Sequence, residues 1–121
     1  PPREAFIAAG GDTPEQGYYS TVFHELGHAT GHETRLDRGK GNRFGSEAYA
    51  FEELIAEMIA AMCCQHVGII QEPREASAAY IKSWATKLRE DPRALFRAAS
   101  DAQAGFDWLE MRQLCQQRKA A

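Results

Sequence analysis

No run of about eighteen apolar residues occurs in these 121 residues, and no charged start leads into an apolar stretch of the kind that marks a secretory signal. The two absences predict a soluble, cytoplasmic protein with no membrane partner. An excess of basic residues is also missing. Fourteen Lys and Arg stand against seventeen Asp and Glu, a formal net charge of −3, which argues against this segment alone gripping a phosphate backbone. Arg112, Arg118 and Lys119 make the end locally basic, as a solvated helix terminus does. Cysteine is scarce, with Cys63 and Cys64 adjacent and Cys115 alone. An odd count without Cys-x-x-Cys spacing argues against a disulfide framework and suits a reducing compartment. Neighbouring cysteines on a helix point apart and do not easily chelate one ion with His66, so buried thiols are expected. No segment alternates convincingly between apolar and polar residues, which leaves room for one or two short strands near the amino end at most. With 44% hydrophobic residues the chain can bury one modest core and is too short for two ordinary domains, so residues 1–121 are expected to form one domain.

What the sequence does contain is helical punctuation. Thr13-Pro14-Glu15-Gln16 combines an N-cap, a first-turn proline and a capping-box glutamine, and predicts a helix running to about Gly31. Residues 33 to 46, with Gly39, Gly41 and Gly45, read as a loop that turns the chain back. Ser46 can cap a second helix ending near Gly68, with Phe51, Leu54, Ile55, Met58, Ile59 and Met62 as its apolar stripe. Pro73 opens a third, on which Tyr80, Trp84 and Leu88 share a face. Asp91-Pro92 opens a fourth, with Leu95, Phe96, Phe106, Leu109 and Leu114 available for packing. The fold class expected is mainly α.

Within the first helix stands His24-Glu25-Leu26-Gly27-His28. Histidines four residues apart on a helix project from one face and can share a metal ion, and Glu25 would then lie beside the water on that ion as a general base. A short pattern can arise by chance, and a histidine on an apolar helix face is more often a satisfied core residue. The surroundings favour the metal site. From Ser20 to Thr30 there is no proline and no charge other than Glu25, as a buried metal-binding helix requires. Gly27 and Gly31 interrupt the helix although each costs about 1 kcal/mol relative to alanine. Another backbone or the metal site approaching closely would account for them.

A catalytic zinc site has three protein ligands and an open position. In one class of zinc peptidases the third ligand is a histidine or aspartate ten residues after the first; here that position is Thr34, which cannot serve. His32 would share the face of His28, but three such histidines climb too far along one helix to converge, so a supporting, substrate-contacting or helix-end role is expected for it. The other source is an acid on the second helix. Glu53 and Glu57 share a face apart from the apolar stripe, and two acids there repel unless a cation or donors separate them. A metal on Glu53, with Glu57 accepting the outer N–H of a ligand histidine, removes the conflict. The competing reading is that Glu52, Glu53 and Glu57 are solvated surface. The Glu-x-x-Ala-Glu arrangement of Glu53, Ala56 and Glu57 resembles the signature of zinc peptidases whose third ligand is glutamate. Small Ala56 would let the helices approach. Glu53 is favoured, with Glu52 the alternative.

Tyr18 through Arg38, then Phe44-Gly45, then Tyr49 through Glu57, with Ala79 through Trp84 and Leu95 through Ser100 after them, resemble the zincin-like metallopeptidase domain of ArdC-type antirestriction proteins. Domains of this kind also occur in plasmid primase-like proteins and in polyvalent proteins of phages and conjugative elements. The resemblance implies a gluzincin-type helical core, His24, His28 and Glu53 as metal ligands, Glu25 as catalytic acid/base, and zinc, with manganese as alternative. It also implies an upstream single-stranded-DNA-binding module to which nothing in these residues corresponds, and the opening Pro1-Pro2-Arg3-Glu4-Ala5-Phe6 looks like the middle of a larger protein, so a fragment or a cut-down gene product is expected. The expected activity is peptide-bond hydrolysis of an unidentified protein or peptide, tied to antirestriction or the establishment of mobile DNA. The alternative is a metal-stabilised domain that binds a partner without cutting. Tyr49, Tyr80, His32 and His66 are the candidates to support an oxyanion. Arg35 and Arg38 could hold an acidic substrate, but pairing with Glu33 and Asp37 is the safer expectation.

Overall fold

The computed structural model of the chain describes residues 14–39, 47–69, 86 and 89–120, with side chains at 14–39, 50–69, 86 and 89–112. Three helices stand in these residues: α1 (Pro14–Thr30), α2 (Glu47–His66) and α3 (Pro92–Ala120). None of the described residues is in a strand. The expected helix from Pro73 is described only at Thr86, Arg89 and Glu90, which are helical, while the amino-end strands and the side chains of Tyr49, Tyr80, Trp84, Leu88, Leu114 and Cys115 fall outside the described residues.

Local signals account for the helix ends. Pro14 opens α1 with Glu15 in the first turn, where a negative charge meets the unpaired N–H groups. At the far end the chain tightens: Gly31 N–H donates to the His28 carbonyl at 3.0 Å and His32 N–H to the Ala29 carbonyl at 3.2 Å. The turn then folds back. Leu36 N–H reaches the Thr30 carbonyl and Arg38 N–H the Gly31 carbonyl, both at 3.0 Å, with Asp37 in the left-handed region at φ 49°. For α3, the Asp91 carboxylate accepts the Arg93 N–H at 3.1 Å, the N-cap expected of Asp91-Pro92.

α2 is the central helix. Its buried Ile55, Ile59 and Cys63 pack with Ala98 and Ala102 of α3, and Phe23, Phe51, Leu54, Met58, Met62, Phe106 and Leu109 close around them. Ile55 and Ile59 are almost fully buried, and each contributes roughly 1.5–3 kcal/mol. α1 runs antiparallel to α2, since His24 meets Glu57 while His28 meets Glu52. The approach is close because Gly27 lacks a side chain: a Cβ there would stand 3.1 Å from Ala56 Cα and 3.2 Å from the Ala56 carbonyl oxygen. Gly105 plays the same part on α3, where a Cβ would run into the Ile59 side chain.

Two of the residues on α3 that the sequence makes available for packing are exposed. Leu95 is 40% exposed and Phe96 74% exposed. The face that α3 presents to α2 follows Ala98, Ala102, Gly105, Phe106 and Leu109. Phe96 lies two positions from Ala98, about 200° around the helix, and so faces away. Small residues carry this contact, which is why the large ones did not mark it. Cys63 and Cys64 are buried free thiols, and burial pushes the Cys63 thiol up to about 11.

Candidate metal centre

Because α1 and α2 are antiparallel and close, the faces carrying His24, His28 and Glu53 meet. One ligating atom from each lies within 4.8 Å of the others, and all three residues are half-buried. His24 Nε2 and His28 Nε2 are 3.0 Å apart. Glu53 straddles them, with Oε1 2.8 Å from His28 Nε2 and Oε2 3.3 Å from His24 Nε2. Among the described residues no other group of three His, Cys, Asp or Glu side chains is so arranged.

The outer ring nitrogens also face acids. Glu57 Oε1 stands 2.9 Å from His24 Nδ1, although off the N–H direction, so that Nδ1 has no aligned hydrogen bond. Glu52 Oε1 stands 3.4 Å from His28 Nδ1. Protons on both Nδ1 atoms satisfy these acids and leave both Nε2 atoms as lone pairs directed at each other and at the Glu53 carboxylate. Such a cluster holds only acceptors and requires positive charge at its centre, supplied by protons or by a metal ion. The separations suit an ion as well, for ligands about 2.1 Å from a tetrahedral metal lie roughly 3.4 Å apart. The Glu57 carboxylate beside Nδ1 raises the His24 pKa above its ordinary value against the opposing effect of burial, and Glu52 beside Nδ1 does the same for His28. Burial works against ionised Glu52, but hydrogen bonds from His28 and Arg38 outweigh it and hold that carboxyl below the usual range.

Glu25 is exposed, beside His24 on the helix and near enough to act on it electrostatically. Glu52, the alternative third ligand, does not meet the Nε2 atoms and is gripped instead by Arg38, whose Nη2 and Nε donate to its two oxygens at 2.8 and 3.1 Å. This corrects the pairing expected for Arg38 with Glu33 or Asp37. The left-handed Asp37 turns the chain inward, and Arg38 is buried against α1 and α2 rather than paired along the loop. Arg35 donates to the Ala29 carbonyl at 3.0 Å and lies over Trp108. His32 sits in the turn, where its Nδ1 is 2.9 Å from Thr34 Oγ1, a helix-end role away from the cluster. His66 packs on Phe106, thirteen residues and about 20 Å along α2 from Glu53. Neither histidine faces the cluster.

The sequence of residues 1–101 matches the family model described as zincin-like metallopeptidase. The chain belongs to that family, which implies a metal ion. Among individual relatives, an uncharacterized protein of Sinorhizobium fredii is 48% identical over 101 residues, which are 84% of this chain and 33% of that protein. A DNA primase TraC of Escherichia coli is 49% identical over 92 residues, 76% of this chain and 9% of the primase. Among solved structures, the Mn(II)-bound crystal structure of the antirestriction protein ArdC from plasmid R388 superposes with a TM-score of 0.70 at 44% identity, covering 80% of this chain and 36% of that one. The chain thus spans a third or less of the length of these two curated relatives. None of the described helices is long and apolar enough to cross a membrane.

Proposed function

We propose that this chain is a zinc-dependent peptidase domain in which His24, His28 and Glu53 hold the metal and Glu25 is the catalytic acid/base. The observation that carries the reading is the convergence of both Nε2 atoms on the Glu53 carboxylate, with an acid on each outer nitrogen. Two imidazoles and one carboxylate are a zinc donor set with a position left open. Mn(II), present in the ArdC structure, is the alternative metal.

A metal ion held there supplies activation of water and polarisation of a substrate carbonyl. The residues of the chain do the rest. Glu57 and Glu52 fix the histidines with their protons outward. Glu25, exposed beside the cluster, takes a proton from water as its oxygen bonds to the carbonyl carbon of the substrate. The same carboxyl returns the proton to the departing amine as the C–N bond breaks. The substrate is a protein or peptide, and its cleavage serves antirestriction or the establishment of mobile DNA, a role supported by the likeness to ArdC. In this reading the domain works in the cytoplasm, and any contact with single-stranded DNA is made through a separate module.

Glu25→Gln tests this. It should leave about one metal per chain, measured by elemental mass spectrometry, while abolishing cleavage in a degradomic comparison of cell lysate incubated with each protein. Equal cleavage by both proteins would refute the role of Glu25, and a metal-loaded chain that cuts nothing would favour the non-hydrolytic, partner-binding alternative.

A further inference from the structure

We propose that Arg38 is a positioning residue of the metal centre, holding Glu52 against His28 so that His28 keeps its Nδ1 proton outward and turns Nε2 toward the ion. The inference rests on the proposed metal site. Arg38 has only 8% of its side chain exposed and makes four hydrogen bonds. Two grip both oxygens of Glu52, at 2.8 and 3.1 Å. A third runs from Nη2 to the Gly27 carbonyl and a fourth from Nη1 to Thr30 Oγ1, each 2.7 Å. Only a guanidinium spans this arrangement, since its donors form a rigid planar fork, whereas an ammonium presents one point charge.

The chain is shaped to deliver that fork. Arg38 follows the left-handed Asp37, and its own N–H is tied to the Gly31 carbonyl. Gly31 has no side chain because the guanidinium occupies its place: a Cβ there would lie 2.9 Å from Arg38 Nη2 and 3.0 Å from Cζ. A plain helix-end cap would need only the contacts to Gly27 and Thr30. The bidentate grip on Glu52 goes further, because Glu52 Oε1 in turn stands 3.4 Å from His28 Nδ1. Adjacent acids on α2 are thereby separated, Glu52 drawn to the outer nitrogen of His28 and Glu53 left to the inner one. Partners of this kind orient a ligand histidine, and losing one commonly weakens metal binding 10- to 100-fold.

The test compares Arg38→Met, Arg38→Lys, Glu52→Gln and the Arg38→Met/Glu52→Gln double variant in the full chain. Zinc affinity is measured by chelator competition, the Co(II)-loaded absorption spectrum reports ligand geometry, and far-ultraviolet circular dichroism checks the metal-free fold. Each single variant should bind zinc about 10- to 100-fold more weakly and shift the Co(II) bands, with helix content kept. Lysine should not restore binding. The double variant should be no weaker than the worse single one, because both break the same connection. Affinity within twofold of the unmodified chain, or losses that add in the double variant, would overturn the proposal. If Arg38→Met does not fold, Glu52→Gln decides alone by the same criterion. An unmodified chain that binds neither Zn nor Co(II) overturns the metal site itself, whereas tight binding untouched by these changes overturns only the role of Arg38.

Discussion

Thr30 is fully buried at the end of α1, and its hydroxyl links two parts of the fold. It donates to the Gly27 carbonyl at 2.6 Å and accepts from Arg38 Nη1 at 2.7 Å. Valine has nearly the same shape and neither bond. A neutral hydrogen bond contributes about 0.5–1.5 kcal/mol and one to a charged group about 1.5–3 kcal/mol, so Thr30→Val should destabilise the protein by about 2–4.5 kcal/mol. Serine keeps the hydroxyl and removes one buried methyl, a loss of about 1 kcal/mol. Urea unfolding with chelator present, followed by circular dichroism, measures both variants without a contribution from metal. The order is the decisive result. A serine variant less stable than the valine one would mean that Thr30 acts by packing, and the hydrogen-bond account of the α1 end would fail.

Gly27→Val should cost about 1–3 kcal/mol by overpacking and weaken metal binding, because its neighbours are the Ala56 backbone and Ile59 Cβ rather than a yielding side-chain tip; unchanged urea midpoint and zinc affinity would count against close helix approach as the basis of the site. pH should act in opposite directions on the metal-free and metal-bound forms. The pKa values of His24 and His28 are raised in the metal-free fold, so their contribution to stability is present below about 6.5 and lost as pH rises through the raised values. Metal needs both rings without that proton, so affinity should climb over the same interval, with protons released on binding. Calorimetry in buffers of different ionisation enthalpy counts those protons, and a count of zero near pH 6.5 would contradict the assignment.

Much of this arrangement was readable from residue spacing. Pro14 and Asp91-Pro92 mark helix starts by chemistry local to each turn, and the phase of Glu53 and Glu57 against the apolar stripe of α2 singles out the face that meets α1. The reason for Gly27 was also visible, since a costly glycine inside a helix implies a close neighbour, here Ala56. Arg38 was not readable. Its partner Glu52 lies fourteen residues on, and the connection depends on a left-handed Asp37 that no periodicity encodes. The only hint was Gly31, whose missing side chain makes room for the guanidinium. Phe96 misled for a related reason: hydrophobic size suggests burial, but α3 meets α2 through Ala98, Ala102 and Gly105.

The most direct test of the central claim is metal content by elemental mass spectrometry, on protein purified without chelators or immobilised metal, for the unmodified chain beside Glu53→Ala and Glu52→Ala. The structure places Glu53 on both Nε2 atoms and Glu52 behind His28. The account therefore predicts about one ion per chain in the unmodified protein, lost with Glu53→Ala and, with metal in excess, kept with Glu52→Ala. No metal in the unmodified chain, or full retention after Glu53→Ala, would contradict it.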